Sequence, residues 1–225
     1  MIYEIVGAGL PVAICTLEEN ERMITQCGGM SWMSPNMKME TGMGGVKNAI
    51  GRRFMGESAF LNYYTAKRGP GLIAFASSFP GEIRAFRISP QKGIILQKKA
   101  FLAATDGVAL SVYFQKRLGA ALWSGEGFIL EKISGSGTVF AEFDGSVTEY
   151  ELAPDDQIVM DTGYLAAMSE TCSMNVVTVP GVKNLLFGGE GMFNTVVRGP
   201  GHVYIQSIPI NRLAGSLLPH ISTKA

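Results

Sequence analysis

The stretch Phe79–Ala104, FPGEIRAFRISPQKGIILQKKAFLAA, decides how the rest of the chain is read, because it returns at Phe143–Ala167 as FDGSVTEYELAPDDQIVMDTGYLAA. Phe79, Gly81 and Pro90 match Phe143, Gly145 and Pro154, each 64 positions on. Ile94-Ile95-Leu96 matches Ile158-Val159-Met160, and after a one-residue slip Phe101-Leu102-Ala103-Ala104 matches Tyr164-Leu165-Ala166-Ala167. A third copy lies near the N-terminus. There Leu17, Met23, Ile24, Gly28, Met33 and Ser34 align with Leu152, Ile158, Val159, Gly163, Met168 and Ser169, all at a shift of 135. Self-similarity at a fixed period signals a repeat architecture, so a motif present in every copy is read first as a structural position.

The second half of the unit recurs as well. Gly45-Val46-Lys47-Asn48 returns as Gly181-Val182-Lys183-Asn184, and Gly56-Glu57 returns as Gly125-Glu126 and Gly189-Glu190. A Gly-x-Gly turn appears as Gly69-Pro70-Gly71, Gly135-Ser136-Gly137 and Gly199-Pro200-Gly201. These matches divide the chain into repeats over 1–70, 71–136 and 137–201, with a closing strand and tail over 202–225, the repeats forming one compact domain.

Each unit reads as strands. After each Gly-x-Gly comes a β-prone run, Leu72–Phe75, Thr138–Phe140 and His202–Ile205, and Met1–Val6 resembles the same strand opening the first unit. Asp144-Gly145 predicts a hairpin, because Gly tolerates positive φ and Asp often does; Pro80-Gly81 takes its place in the second unit. Alternation through Ile83, Ala85 and Ile88, and through Val147, Tyr150 and Leu152, puts one face in a core. Pro90 and Pro154 end those strands, since proline cannot donate to a ladder. Short strands with frequent turns predict an all-β protein of three repeated β-sandwich or barrel-like units about a pseudo-threefold axis. Helix is scarce, with one short turn predicted over Asn211–Leu218.

Composition narrows the function classes. Of 225 residues, 47% are apolar and 17% charged, which suits a folded core rather than disorder. Lys+Arg equals Asp+Glu at 19 each, so any nucleic-acid or lipid binding must come from a local patch. Three cysteines, Cys15, Cys27 and Cys172, without paired close spacing, fit a reduced cytoplasmic chain better than a disulfide framework. No basic leader and no apolar run of roughly 18 residues is present, so a soluble protein is expected.

The material for catalysis is thin. His202 and His220 are the only histidines, and no HExxH, CxxC or GxSxG pattern appears, so no catalytic residue, metal site or cofactor is assigned. Glu57, Glu126 and Glu190 are repeated turn carboxylates, read as structural because duplication copies structural positions. The quartet Arg68-Gly69-Pro70-Gly71 returns letter for letter at Arg198-Gly199-Pro200-Gly201. Glycine-rich turns can cradle anions, but Pro70 and Pro200 each remove a donor and no helix follows, so both are read as tight turns. The candidate ligand-binding residues are Lys47, Arg52, Arg53, Lys67, Arg68 and Arg198, the first three on a loop interleaved with aromatic residues. Met30, Met33, Met37, Met39 and Met43 are assigned to core or subunit packing.

Gly28–Ser34 (GGMSWMS), Gly56-Glu57-Ser58 with Phe60, Phe101-Leu102-Ala103, Gly125-Glu126-Gly127, and Gly189-Glu190-Gly191 with Arg198–Gly201 occur in an order and spacing that resembles the altered-inheritance-of-mitochondria (mitochondrial biogenesis) family. The resemblance implies an all-β fold like that of the tryptophan RNA-binding attenuation protein, present as repeated units in one chain, and oligomers. It implies no enzymatic activity, and likeness of fold to an RNA binder is not RNA binding. The expectation is a non-enzymatic structural or interaction protein that self-associates as a homo-oligomer. The alternative is a binding module for RNA or anionic lipid through Lys47–Arg53.

Overall fold

The computed structural model describes residues 1–43, 60–116, 128–178 and 193–217. Among these the chain is almost entirely antiparallel β, with one α-helix, α1, at Ile210–Leu217. The first sheet runs, in spatial order, β1 (Ile2–Val6), β2 (Val12–Leu17), β7 (Gly71–Ala76) and β4 (Trp32–Met33). The second runs β5 (Met37–Met43), β6 (Phe60–Ala66), β3 (Arg22–Gln26), β10 (Phe101–Thr105), β13 (Gly137–Asp144) and β8 (Gly81–Ile88). The third repeats that order six strands later: β11 (Val108–Lys116), β12 (Phe128–Gly135), β9 (Ile94–Gln97), β16 (Leu165–Ser169), β19 (Gly201–Gln206) and β14 (Val147–Leu152). The fourth holds three strands, β15 (Gln157–Asp161), β18 (Phe193–Arg198) and β17 (Ser173–Thr178).

The recurrence extends to register. Leu17 lies opposite Gly71, Ile88 opposite Gly137, and Leu152 opposite Gly201. On the other side of the same strands, Met33 faces Ile73, Ala104 faces Val139 and Met168 faces Val203. A one-residue slip would turn every side chain to the opposite face, so a preserved register means a preserved core side. The slip read between Phe101 and Tyr164 is therefore corrected. Phe101 faces Ala141 and Leu165 faces Ile205, so Leu165 holds the place of Phe101 and the 64-residue offset continues unbroken.

Two further expectations change. Asp144-Gly145 makes no hairpin: β13 is flanked by β8 and β10, while β14 leaves for β19 in the next sheet. Gly145, at φ 71°, turns a corner, and Asp144 Oδ2 accepts the Ile210 N–H at 2.8 Å. Turn chemistry supplied the bend, but both edges of β13 were already taken. The opening strand β1 likewise takes a different place from β7. Strand β7 fills the inner side of β2, so β1 pairs along the outer side and forms the sheet edge.

The identical quartets also differ. Arg198 lies inside β18, opposite Gln157 and Ser173. Thr65 holds the corresponding ladder place in the first copy, opposite Arg22, and Arg68 lies beyond the strand in a turn at φ 59°. The link from ladder to Gly71 is longer in the first copy than the link to Gly201 in the third, so the letters match at Gly71 and Gly201 but not at the arginines.

The core forms successive clusters that interlock. Met23, Tyr64, Ile73 and Phe75 take in Ile83, Leu102, Ala103 and Phe140 from the following segment. Ile94, Leu96, Ile133 and Val139 take in Val147, Ala166, Ala167 and Tyr204, each 64 positions further on. In the other direction, Ile24 and Leu61 enter the central cluster, and Ile95 and Leu130 enter the third, beside Met160, Val197 and Val203. Ile95 is fully buried, contributing on the order of 2–3 kcal/mol at ~25 cal/mol per Å². Its strand packs against apolar side chains on both faces, which is why Ile94-Ile95-Leu96 shows no polar alternation.

Candidate functional site

Where β3, β5 and β6 approach the end of β10, charged side chains line a cleft of about 500 Å³. Arg22 Nη2 donates to Asp106 Oδ2 at 2.6 Å across the junction between β3 and the end of β10, and its guanidinium lies 4.9 Å from the Tyr63 ring centre. Lys38 Nζ donates to Glu40 Oε1 at 2.8 Å, and Lys67 Nζ to Asn20 Oδ1 at 2.9 Å. The Met1 amine donates to Glu21 Oε1 at 2.7 Å, and this hydrogen bond is the main cause holding the Glu21 carboxyl below its usual range. Thr105 Oγ1, also on the cleft wall, accepts the Thr138 N–H at 2.9 Å.

Chemically the cleft wall is zwitterionic. Its cations each have a carboxylate or amide oxygen in reach, so little positive field is left for a phosphate. No histidine or cysteine stands among the described residues that line the cleft.

The sequence-derived candidates scatter. Lys67 lines this cleft, Arg68 is exposed in the turn beside it, and Arg198 lies on the fourth sheet, where its Nε donates to Gln157 Oε1 at 3.3 Å. Lys47, Arg52, Arg53, Glu57, Glu126 and Glu190 lie outside the described residues. Met37 is core, as expected, whereas Met39 is 50% exposed. Among the described residues no group of His, Cys, Asp and Glu is arranged to hold a metal ion.

Two polar features escaped sequence reasoning. On β8, β14 and β19, Glu149 gathers Arg84 Nη1 at 3.2 Å, His202 Nδ1 at 2.9 Å and the Tyr204 hydroxyl. The His202 approach lacks the alignment of a hydrogen bond. Burial first, then the Glu149 charge, push the Tyr204 phenol up to about 12. The second feature is Glu131, in the middle of β12 and 1% exposed, whose Oε2 has no hydrogen-bond partner among the described residues. Burial pushes its carboxyl up to about 7, and the Lys98 charge opposes the rise. By register Glu131 faces Leu96 as Asn62 faces Thr25 and Thr195 faces Met160, so one polar residue occupies the same place in each copy. Asn62 Oδ1 accepts from Thr41 at 2.8 Å, and Thr195 donates to Thr162 at 3.2 Å. Aligning the repeats across β6, β12 and β18 would have exposed this column; nothing local to FILEKISG does.

The identity of the chain follows from comparison with known proteins. Residues 3–208 match the family described as mitochondrial biogenesis AIM24. The chain belongs to this family. An uncharacterized protein of Streptococcus pyogenes serotype M6 is 30% identical to this AIM24-family chain over 224 residues, covering 96% of it and 88% of the relative. A second Streptococcus pyogenes protein, solved by X-ray crystallography, superposes with a TM-score of 0.79 at 25% identity, covering 98% of this chain and 99% of the other. The fold described above is thus shared with that solved protein, and neither relative carries an activity in its description.

Proposed function

We propose that this protein is a non-enzymatic structural or interaction protein, built of three equivalent β units, that works by self-association. The observation carrying this reading is the exposed apolar surface on the two incomplete sheets. In β1 every residue is exposed, Ile2 at 74%, and Leu10 beside it is 62% exposed. Trp32 on β4 and Val159 on β15 are 47% and 55% exposed. Sheet edges that combine free backbone groups with apolar side chains are templates for pairing with another chain.

The alternative, RNA or anionic-lipid binding, rests on Lys47, Arg52 and Arg53, and the described candidate cations Lys67 and Arg68 lie in or beside a cleft of balanced charge. Among the described residues no helix is long and apolar enough to cross a membrane. Sedimentation velocity on nuclease-treated protein over a range of micromolar concentrations tests the reading. The expected result is a concentration-dependent mass above the 24.1 kDa of one chain. A single species of that mass throughout the range overturns it.

A further inference from the structure

Each of the two incomplete sheets matches one half of a complete one. The second sheet joins the trio β5-β6-β3 to the trio β10-β13-β8 through a β3–β10 ladder. The third joins β11-β12-β9 to β16-β19-β14 through the β9–β16 ladder. The fourth sheet, β17-β18-β15, is the first kind of trio with nothing beyond β15 among the described residues, and β4-β7-β2 is the second kind with nothing beyond β4. We propose that a second copy of this chain docks its β4 edge on β15, completing a third composite sheet head to tail. The proposal rests on the self-association reading above and names the surfaces that meet.

Register fixes the contact. In the existing junctions Ala104 faces Ile24 and Met168 faces Ile95, while Ala103 faces Thr25 and Ala167 faces Leu96. The third junction therefore sets Met33 opposite Val159 and Trp32 opposite Met160. Burial marks both halves as unfilled. Ile24 and Ile95 are 3% and 0% exposed, whereas Val159 in the same place is 55% exposed. Ala103 and Ala167 are 0% and 1% exposed, whereas Trp32 is 47% exposed. On the receiving side Ile158, Met174, Val176 and Phe193 are only partly buried, leaving apolar surface for the indole to cover. The docking is continuous with an interface the chain already builds twice, and it joins two different surfaces, so it propagates into a ring or a filament depending on the rotation per step.

Paired cysteines test it in the full chain, with exposed Cys27→Ser as background. Facing residues in an antiparallel ladder have Cα atoms about 4.5–5.5 Å apart, within reach of a disulfide. Met33→Cys protein mixed with Val159→Cys protein should give a disulfide dimer under mild oxidation, at least about tenfold above either variant alone, and the double variant should give a ladder of multimers. A double variant that bonds only within one chain means the ends close on themselves and overturns the docking. Multimers in sedimentation without this cross-link also overturn it while leaving self-association standing; monomers with no cross-link remove both. Val159→Arg, at an exposed site that leaves the fold intact, should abolish the multimers, and multimers unchanged by it refute the contact.

Discussion

Replacing Glu131 by Gln should make stability less sensitive to alkali, and the size follows from its burial. The folded carboxyl is pushed up to about 7, from 4.5, so between those values the folded state holds a proton that the unfolded chain has released. The folded state then binds more protons, and stability falls as pH rises through that window, levelling above about 7. At about 1.4 kcal/mol per pH unit, ionising this side chain costs the fold about 3 kcal/mol at most. The Glu131→Gln variant keeps the shape and loses the charge. Its amide still needs partners, which costs about 1–3 kcal/mol, but equally at every pH. Urea unfolding of both proteins at pH 5 and pH 8, followed by circular dichroism, isolates the effect of the charge. Between the two pH values the stability difference should move by about 2–3 kcal/mol toward the Gln variant. Parallel changes in the two proteins would show that Glu131 is solvated or partnered and would refute the reasoning.

Three other outcomes are expected. Gly81→Ala drives a Cβ into the Phe143 carbonyl oxygen, far inside van der Waals contact, so unfolding experiments should show a loss of about 3 kcal/mol or more. A double-mutant cycle on Arg22 and Asp106, whose side chains are 37% and 51% exposed, should give a coupling of only about 0.5 kcal/mol that vanishes in high salt. Thiol titration of the native protein at pH 8 should find Cys27 reacting fast and Cys15 and Cys172 slowly. Both slow thiols are buried, and burial pushes Cys15 up to about 12.

What the sequence made legible was local. Strands open at Gly71, Gly137 and Gly201, as the Gly-x-Gly turns imply, and β8 and β14 stop at Ile88 and Leu152, just before Pro90 and Pro154. The helix at Ile210–Leu217 lies within a residue of its expected place. Partners were not legible, because a turn dictates a bend and not which strand lies alongside: hence the missing hairpin at Asp144-Gly145. Glu131 belongs to no motif and drew no reading, because its burial comes from segments distant in sequence. Arg68 and Arg198 misled for the opposite reason, sharing letters while occupying different places relative to the ladder. The cleft was reached only through Lys67, since Arg22, Lys38 and Asp106 belong to no motif and converge only in the fold.

The corners at Pro80-Gly81 and Asp144-Gly145 send consecutive strands into different sheets, so each stretch of chain lends side chains to the interior before it and borrows from the one after. Cutting at Gly71 or Gly137 would leave such an interior unlidded, and neither fragment should fold by itself. The modules are spliced like rope strands: the smallest autonomous piece is longer than the period that generated it.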